Sequence, residues 1–405
     1  MARFSTYKPE YRSKINGGNL PAALSSSITS VSYTDGIEGA DRVEIGLANP
    51  DLRWLDHALL QSDNELLLEI GYAPEPLKEL FVCEISGVNA SFPSGGMPTL
   101  TIVAHDFLQR LTTGSKDRAF ALDLPCIGQF PLPDPVVAML VSGTNLLIPL
   151  VDPVGAAVSF LTLLIAYAID PLDAKKGIRI QRNQSDFDFL SGIAKENGWE
   201  MFIDHELEPR GYVLRFNFLM QDYTPSVSLA YGRSLMDFSP RLSTVGQVAS
   251  VSTRIWIPSI NLELVVVLGW DFDRAAFDLQ IYPGLGSLEE IASPLTSQSV
   301  LKVEASSPAL APKKILSELL PRLNNRLTGS GSTIGNPQIK AGRVIDLQGL
   351  GEQFSGLYRV TSATHTIDSG GYKTSFDCRK EVWFGSFPVP KGAGGLLRVQ
   401  GQTIG

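Results

Sequence analysis

The sequence predicts a mainly β protein with an α+β middle region, and three observations predict it. Period-two alternation fills both ends of the chain, as in ADRVEIGLANP (40–50) and LYRVTSATHTID (357–368). A short phrase, SGG-x-x-T, occurs at 94–99 and again at 369–374, each time between two strand-like runs. Between these ends, QSDFDFLSGIAKENGW (184–199) has helical rather than strand periodicity.

Bulk properties bound the rest. At 405 residues the chain exceeds what one core organises, so two or three domains are expected. Its 34 Lys+Arg against 42 Asp+Glu give a net charge of −8, which argues against nucleic acid as a partner. Cys83, Cys126 and Cys378 are far apart and odd in number, so no disulfide framework is expected. The first seventeen residues lack the apolar segment of a secretory leader. PVGAAVSFLTLLIAYAIDP (153–171) falls short of the roughly 20 apolar residues of a spanning helix. It reads as a buried amphipathic helix with Ser159 and Thr162 on its polar side, and no stable membrane insertion is expected.

Taken in order, SSITSVSYTDG (26–36), ADRVEIGLANP and NELLLEIGY (64–72) read as strands, with a short helical candidate at WLDHALL (54–60). LFVCEISGVNASF (80–92) and TLTIVAHDFLQRL (99–111) form a hairpin through Ser94, Gly95, Gly96 and Thr99, where paired glycines permit positive φ. Residues 120–180 are Pro-rich and apolar, a mixed helix and loop region. The helix that follows has Ser185 as N-cap and Asp188 in the capping-box position. Asp186 and Phe187 lie in its first turn, Phe189, Leu190, Ile193 and Ala194 form its apolar face, and Asn197-Gly198 stops it. WEMFID (199–204) and GYVLRFNF (211–218) read as a hairpin, and QVASVSTRIWI (247–257) and NLELVVVLGWDF (261–272) as strands. Residues 271–310 read as irregular. PKKILSELLPRLNNRL (312–327) reads as a helix bent at Pro321, with Ile315, Leu316, Leu319, Leu320, Leu323 and Leu327 on one face. TGSGSTIGNP (328–337) reads as a connection to three last strands at 340–349, 357–368 and 373–384, with Ser369, Gly370, Gly371 and Thr374 in the second SGG turn. Residues 386–405 are Gly/Pro-rich and read as an extended tail.

The repeat is larger than its turns. LLLEIGY, LFVCEIS, SGG and TLTIVAHD follow one another as do RVIDLQG, LYRVTSATH, SGG and TSFDCRK. Two related β domains are therefore expected.

Catalytic signals are sparse. His57, His105, His205 and His365 are isolated, and each reads as structural. His105-Asp106 and Asp204-His205-Glu206 put carboxylate beside imidazole, but strand neighbours point to opposite faces. TGSGSTIG only mimics the composition of a nucleophile elbow, and GLGSLE (284–289) and GLGEQF (349–354) lack the third glycine of a dinucleotide loop. No catalytic residue, cofactor or metal ligand is assigned.

Three stretches carry a family resemblance: QSDFDFLSGIAKENGW, ISGVNASFPSGGMPTLTIVAHDFLQRL with its D-x-x-x-R-L exit, and residues 331–378. Together they resemble the phage late control protein D family and the hub portion of type VI secretion valine-glycine-repeat spike proteins. The resemblance implies two barrel-like tube-type β domains per subunit and a homotrimeric baseplate hub. Such a hub joins a hexameric tail tube to a spike, here expected to be a separate protein, and meets other baseplate proteins. It implies assembly in the bacterial cytoplasm and residence in a phage tail or contractile injection particle. The expected division is a first tube-type domain at 1–118, a middle region at 119–235, a second tube-type domain at 236–385, and the tail at 386–405. The alternative is a tail-associated peptidoglycan hydrolase on the same scaffold, since paired carboxylates suffice for that chemistry.

Overall fold

The computed structural model describes residues 8–125, 128–169, 175–217, 224–242, 248–257, 262–271, 276–283, 299–302, 311–381, 397–399 and 402–404. The alternating N-terminal text forms β1 (Lys8–Ile15), the two-residue β2 (Gly18–Asn19), β3 (Ile28–Gly36), β4 (Arg42–Ala48), β5 (Glu65–Ala73), β6 (Lys78–Ser91) and β7 (Thr99–His105). They pair antiparallel in the order β3-β4-β7-β6-β5-β1-β2. Alternation decides the faces: in β4, Val43, Ile45 and Leu47 are buried, whereas Arg42 is exposed and Glu44 half-buried. The inward residues build a core around Tyr33, Phe81, Leu66, Leu68 and Ile70. WLDHALL yields only a 3-10 turn, Ala58–Leu60.

The middle region contains β8 (Lys116–Leu124), β9 (Gly128–Pro131), β10 (Ile148–Val151), β11 (Arg179–Gln184), β12 (Glu200–Asp204) and β13 (Val213–Asn217). β8 is flanked by β9 and β11, and β12 and β13 form a hairpin with β10 parallel to β13. The helices Asp134–Thr144 and Asp186–Asn197 pack with these strands into a second core that includes Phe107, Phe120, Val137, Phe189, Leu190, Ile193 and Phe216.

The second half begins with β14 (Val227–Ala230) and β15 (Leu235–Leu242). An insertion follows: β16 (Val248–Ile257), β17 (Leu262–Asp271), β18 (Ala276–Pro283), β19 (Ser299–Lys302) and the helix Ala311–Asn324. The sheet then resumes with β20 (Leu327–Ile334), β21 (Val344–Gln348), β22 (Gly356–Asp368) and β23 (Gly371–Arg379). β24 (Leu397–Val399) and β25 (Gln402–Ile404) extend the insertion's sheet beyond β18.

The strand order of the second half is β14-β21-β22-β23-β20-β15, the counterpart of β1-β5-β6-β7-β4-β3. The irregularities recur as well. β6 shifts register between Ile85 and Gly87, and β22 between Val360 and Ser362. β3 shifts between Ile28 and Ser30, and β15 between Leu235 and Asp237. A β-bulge inserts one unpaired residue and bends its strand, so shared bulges mean shared curvature. One difference stands out: β14 runs parallel to β21, whereas β1 runs antiparallel to β5. β14 also carries the second half back to Val227, inside the stretch read as middle region.

The two halves join edge to edge. After its bulge, β22 leaves β21 and pairs antiparallel with β3, Ser362–Ile367 against Val31–Gly36. The result is one 13-stranded sheet, and Ile367 and Tyr372 complete the first core.

Several elements differ from the expectations. TGSGSTIGNP is no connection, for most of it is β20. Added Cβ atoms at Gly329 and Gly331 would fall 2.5 Å and 3.1 Å from the Phe238 ring, so glycine here admits an aromatic across the strand. Leu327 leaves the helical face and opens that strand. Residues 271–310 include β18 and β19, and the tail contributes β24 and β25, while 382–396 lie outside the described residues. The apolar helix Pro153–Ile169 is oriented opposite to expectation: Ser159 and Thr162 are buried, and Phe160, Leu161 and Leu164 are exposed. Among the described residues no helix is long and apolar enough to cross a membrane.

Candidate functional site

The two SGG phrases occupy corresponding hairpins with different turns. Ser94, Gly95 and Gly96 lie in the loop between β6 and β7, neither glycine with positive φ, and Thr99 opens β7 opposite Ser91. Ser369 and Gly370 form a two-residue turn, and Gly371, at φ 109°, already pairs with Asp368. Thr374 is buried and functions within its half: its Oγ1 accepts from the Asn336 N–H (2.9 Å) and contacts His365 Nδ1 at 3.0 Å.

The middle helix forms from local signals. Ser185 Oγ accepts from the Asp188 N–H at 3.0 Å, and Gly198 ends the helix at φ 67°. Phe189 stacks on Phe120 at 5.2 Å, Leu190 and Ile193 are buried, and Phe187 packs at the core's edge. Asp186 is buried and receives Lys116 (2.5 Å), Asn145 (2.8 Å), Gln181 (2.9 Å) and the Arg118 guanidinium. Burial alone would raise its pKa, but these donors outweigh it and hold the carboxyl below its ordinary value. This set ties the helix to β8 and β11.

A second ionic set fastens the middle region to the second half. Glu200 of β12 pairs with Arg359 of β22 (2.5 Å) and Arg379 of β23 (2.7 Å), and buried Glu381 sits 2.9 Å from Arg379. The arginines outweigh the effect of burial and keep Glu200 ionised.

The most concentrated chemistry lies where all three parts meet. Asp41 stands in the β3–β4 connection, Asp106 directly after β7, and His205 directly after β12. All three are buried, and one ligand atom from each lies within 4.8 Å of the others. His205 Nε2 is 3.2 Å from Asp41 Oδ2. Asp41 Oδ1 accepts from the Gly36 N–H, and Asp106 Oδ1 accepts from the Leu108 N–H and starts the 3-10 turn Phe107–Thr112. Burial raises both carboxyls and lowers His205 to about 4; the Asp106 charge opposes that fall without cancelling it. Asp35 lies nearby, but both its oxygens are taken by backbone N–H groups, Ala363 and Ala341. His205 and Asp41 line a cavity of about 450 Å³ whose wall includes Asp204, Glu206 and Lys340. Sequence neighbours His105-Asp106 and Asp204-His205 each supplied one member of this cluster, and the fold rather than the spacing brings those members together.

The other histidines are structural in placement. His57 caps the Ala58–Leu60 turn, and His105 contacts the Ser86 hydroxyl at 2.8 Å. His365 is buried in the seam, with Nε2 2.9 Å from the Ile339 carbonyl and Nδ1 2.8 Å from the Tyr372 hydroxyl.

The fold is similar to a tail protein from Neisseria meningitidis MC58, at 11% identity and TM-score 0.58 over 94% of this chain and 99% of that one. It is similar to the 43 kDa tail protein of prophage MuSo2 from Shewanella oneidensis, at 12% identity and TM-score 0.60 over 92% and 98%. An E. coli component of the type VI secretion system, described as similar to T4 bacteriophage tail proteins, aligns at 11% identity and TM-score 0.52 over 93% and 80%. At these identities the likeness is one of fold. Among curated proteins none matches by sequence. Over residues 164–369, just over half its length, the chain matches the family model described as the Alg8 N-terminal domain, and it belongs to that family. That model is not the late control protein D family which the motifs resemble; the tail-protein fold is the broader expectation that holds.

Proposed function

We propose that this member of the Alg8 N-terminal domain family is a structural hub of a tail baseplate, acting without catalysis, cofactor or nucleic acid. In this reading three copies form a ring that joins a hexameric tail tube to a separate trimeric spike and to other baseplate proteins. The hub assembles in the bacterial cytoplasm and resides in a phage tail or contractile injection particle. The tail-protein fold supports the setting.

The observation that carries the reading is the repeated strand order with its repeated bulges. One chain supplies two similar modules, so three chains supply six, which reconciles threefold with sixfold symmetry. The edges point the same way. The β22–β3 seam has a counterpart that would join β6 to β15, yet among the described strands β15 ends the sheet. Among the described strands, Gly87–Ser91 of β6 pairs only with β7. Open strand edges recruit partners. A β6 edge meeting β15 of the next copy repeats the seam head to tail, and three such junctions close a ring.

Light scattering on the purified chain tests this. The expected mass is three times that of the 43.9 kDa chain. A single-chain mass at every accessible concentration overturns the trimer.

A further inference from the structure

We propose that Asp41, Asp106 and His205 bind one divalent transition-type cation, of which zinc(II) fits the donor set best. This inference stands independently of the hub reading.

The carboxylates are held in place before any ion arrives. Asp41 and Asp106 each commit one oxygen, Oδ1, to a backbone N–H. Asp106 Oδ2 has no hydrogen-bond partner although the residue is 1% exposed. His205, 8% exposed, has an unpartnered Nδ1, while Nε2 faces Asp41 Oδ2. Buried polar atoms without partners are costly, and a bound cation is one way to satisfy them. Asp35 shows the contrast, since both its oxygens are satisfied and it is left out of the ligand set.

Among the described residues no Lys or Arg forms an ion pair with Asp41 or Asp106, so their remaining oxygens are open to a cation. Lys340 is drawn to the carboxylates and lies 3.8 Å from Glu206, whereas Arg343 pairs with Glu206 and Arg215 with Asp204. One imidazole and two carboxylates suit zinc in preference to magnesium or calcium, which favour oxygen alone. Ligand atoms up to 4.8 Å apart must draw together by about 1 Å to reach zinc bond lengths near 2.0–2.2 Å. The three come from the first β half and the middle region, so the ion would lock those two parts together.

The test uses the full, tag-free chain, stripped with chelator and dialysed against zinc chloride, with metal content read by mass spectrometry. About one zinc per chain is expected, with the melting temperature raised. His205→Ala and Asp106→Asn should each weaken uptake at least about tenfold. Asp106→Asn keeps an oxygen for the Leu108 N–H, which separates ligand loss from misfolding. Cobalt(II) loaded into the unaltered chain should give d–d bands without thiolate charge transfer. Zinc content below about one per ten chains, unchanged uptake in both variants, or a thiolate band would each overturn the site.

Discussion

Acidification from pH 7 to pH 5 is expected to loosen the seam between the two β halves, and His365 is the group responsible. Its ring lies between β22 and β3, opposite Tyr33 in register and 5.8 Å from that ring. The Ile339 carbonyl can only accept, so Nε2 carries a proton, and in the neutral ring Nδ1 accepts from a hydroxyl, Tyr372 at 2.8 Å or Thr374 at 3.0 Å. The Tyr372 and Thr374 hydroxyls beside Nδ1 can donate or accept, so burial rather than hydrogen bonding disfavours the charged ring and lowers its pKa from 6.5 to about 4. The folded state then resists a proton that the unfolded state accepts. Stability is fully present above pH 6.5 and is lost as pH falls toward 4. The shift implies about 2 kcal/mol lost at pH 5 and about 3 kcal/mol at pH 4. Urea unfolding of the wild type and His365→Gln, at pH 7 and pH 5, isolates this contribution by difference. The wild type should lose about 2 kcal/mol more than the variant over that range. Equal losses in the two proteins would refute the argument.

Three further outcomes follow from the packing. Phe189→Ala should cost about 3–5 kcal/mol in denaturant unfolding, because it empties a buried site stacked on Phe120; Phe189→Asp should leave the middle region unfolded by circular dichroism, and a fully folded Asp variant would refute the helix packing. Glu200→Ala should destabilise by about 3 kcal/mol, since Arg359 and Arg379 lose a shared partner; a change within error would show that Glu381 suffices. Deleting 386–405 removes β24 and β25 from the edge of the insertion's sheet and should leave the β3–β22 sheet intact. In the hub reading it also weakens spike capture, and an unchanged pull-down would exclude the tail from that contact.

The parts legible in sequence were those fixed locally. Ser185, Asp188 and Gly198 carry the boundaries of their helix in their own side chains and backbone freedom, and the structure places those boundaries there. Alternation likewise marks β4, whose two faces differ in burial. β20 escaped because its partners, not its composition, make it a strand: Phe238 and Phe376 cover its glycines. Hydropathy alone does not say which side a helix buries, so the composition of 153–169 leaves its buried face undetermined. The Asp41–Asp106–His205 cluster was half visible, as two carboxylate–imidazole neighbours whose useful members come from different pairs. Distances of 65 and 99 residues separate its members, and only the topology closes them.

In the hub reading the seam within one chain is repeated between chains. In the internal seam, Thr364 pairs with Thr34 and their hydroxyls are 3.1 Å apart. Matching the bulges places Asn89 at the Thr364 position and Arg241 at the Thr34 position. The most direct measurement is therefore oxidation of an Asn89→Cys, Arg241→Cys chain in a Cys126→Ser background, read on a non-reducing gel. A Thr34→Cys, Thr364→Cys chain serves as the intrachain control. Covalent dimers and trimers with no larger species are predicted. Monomer alone, while the control forms its disulfide, would contradict the ring.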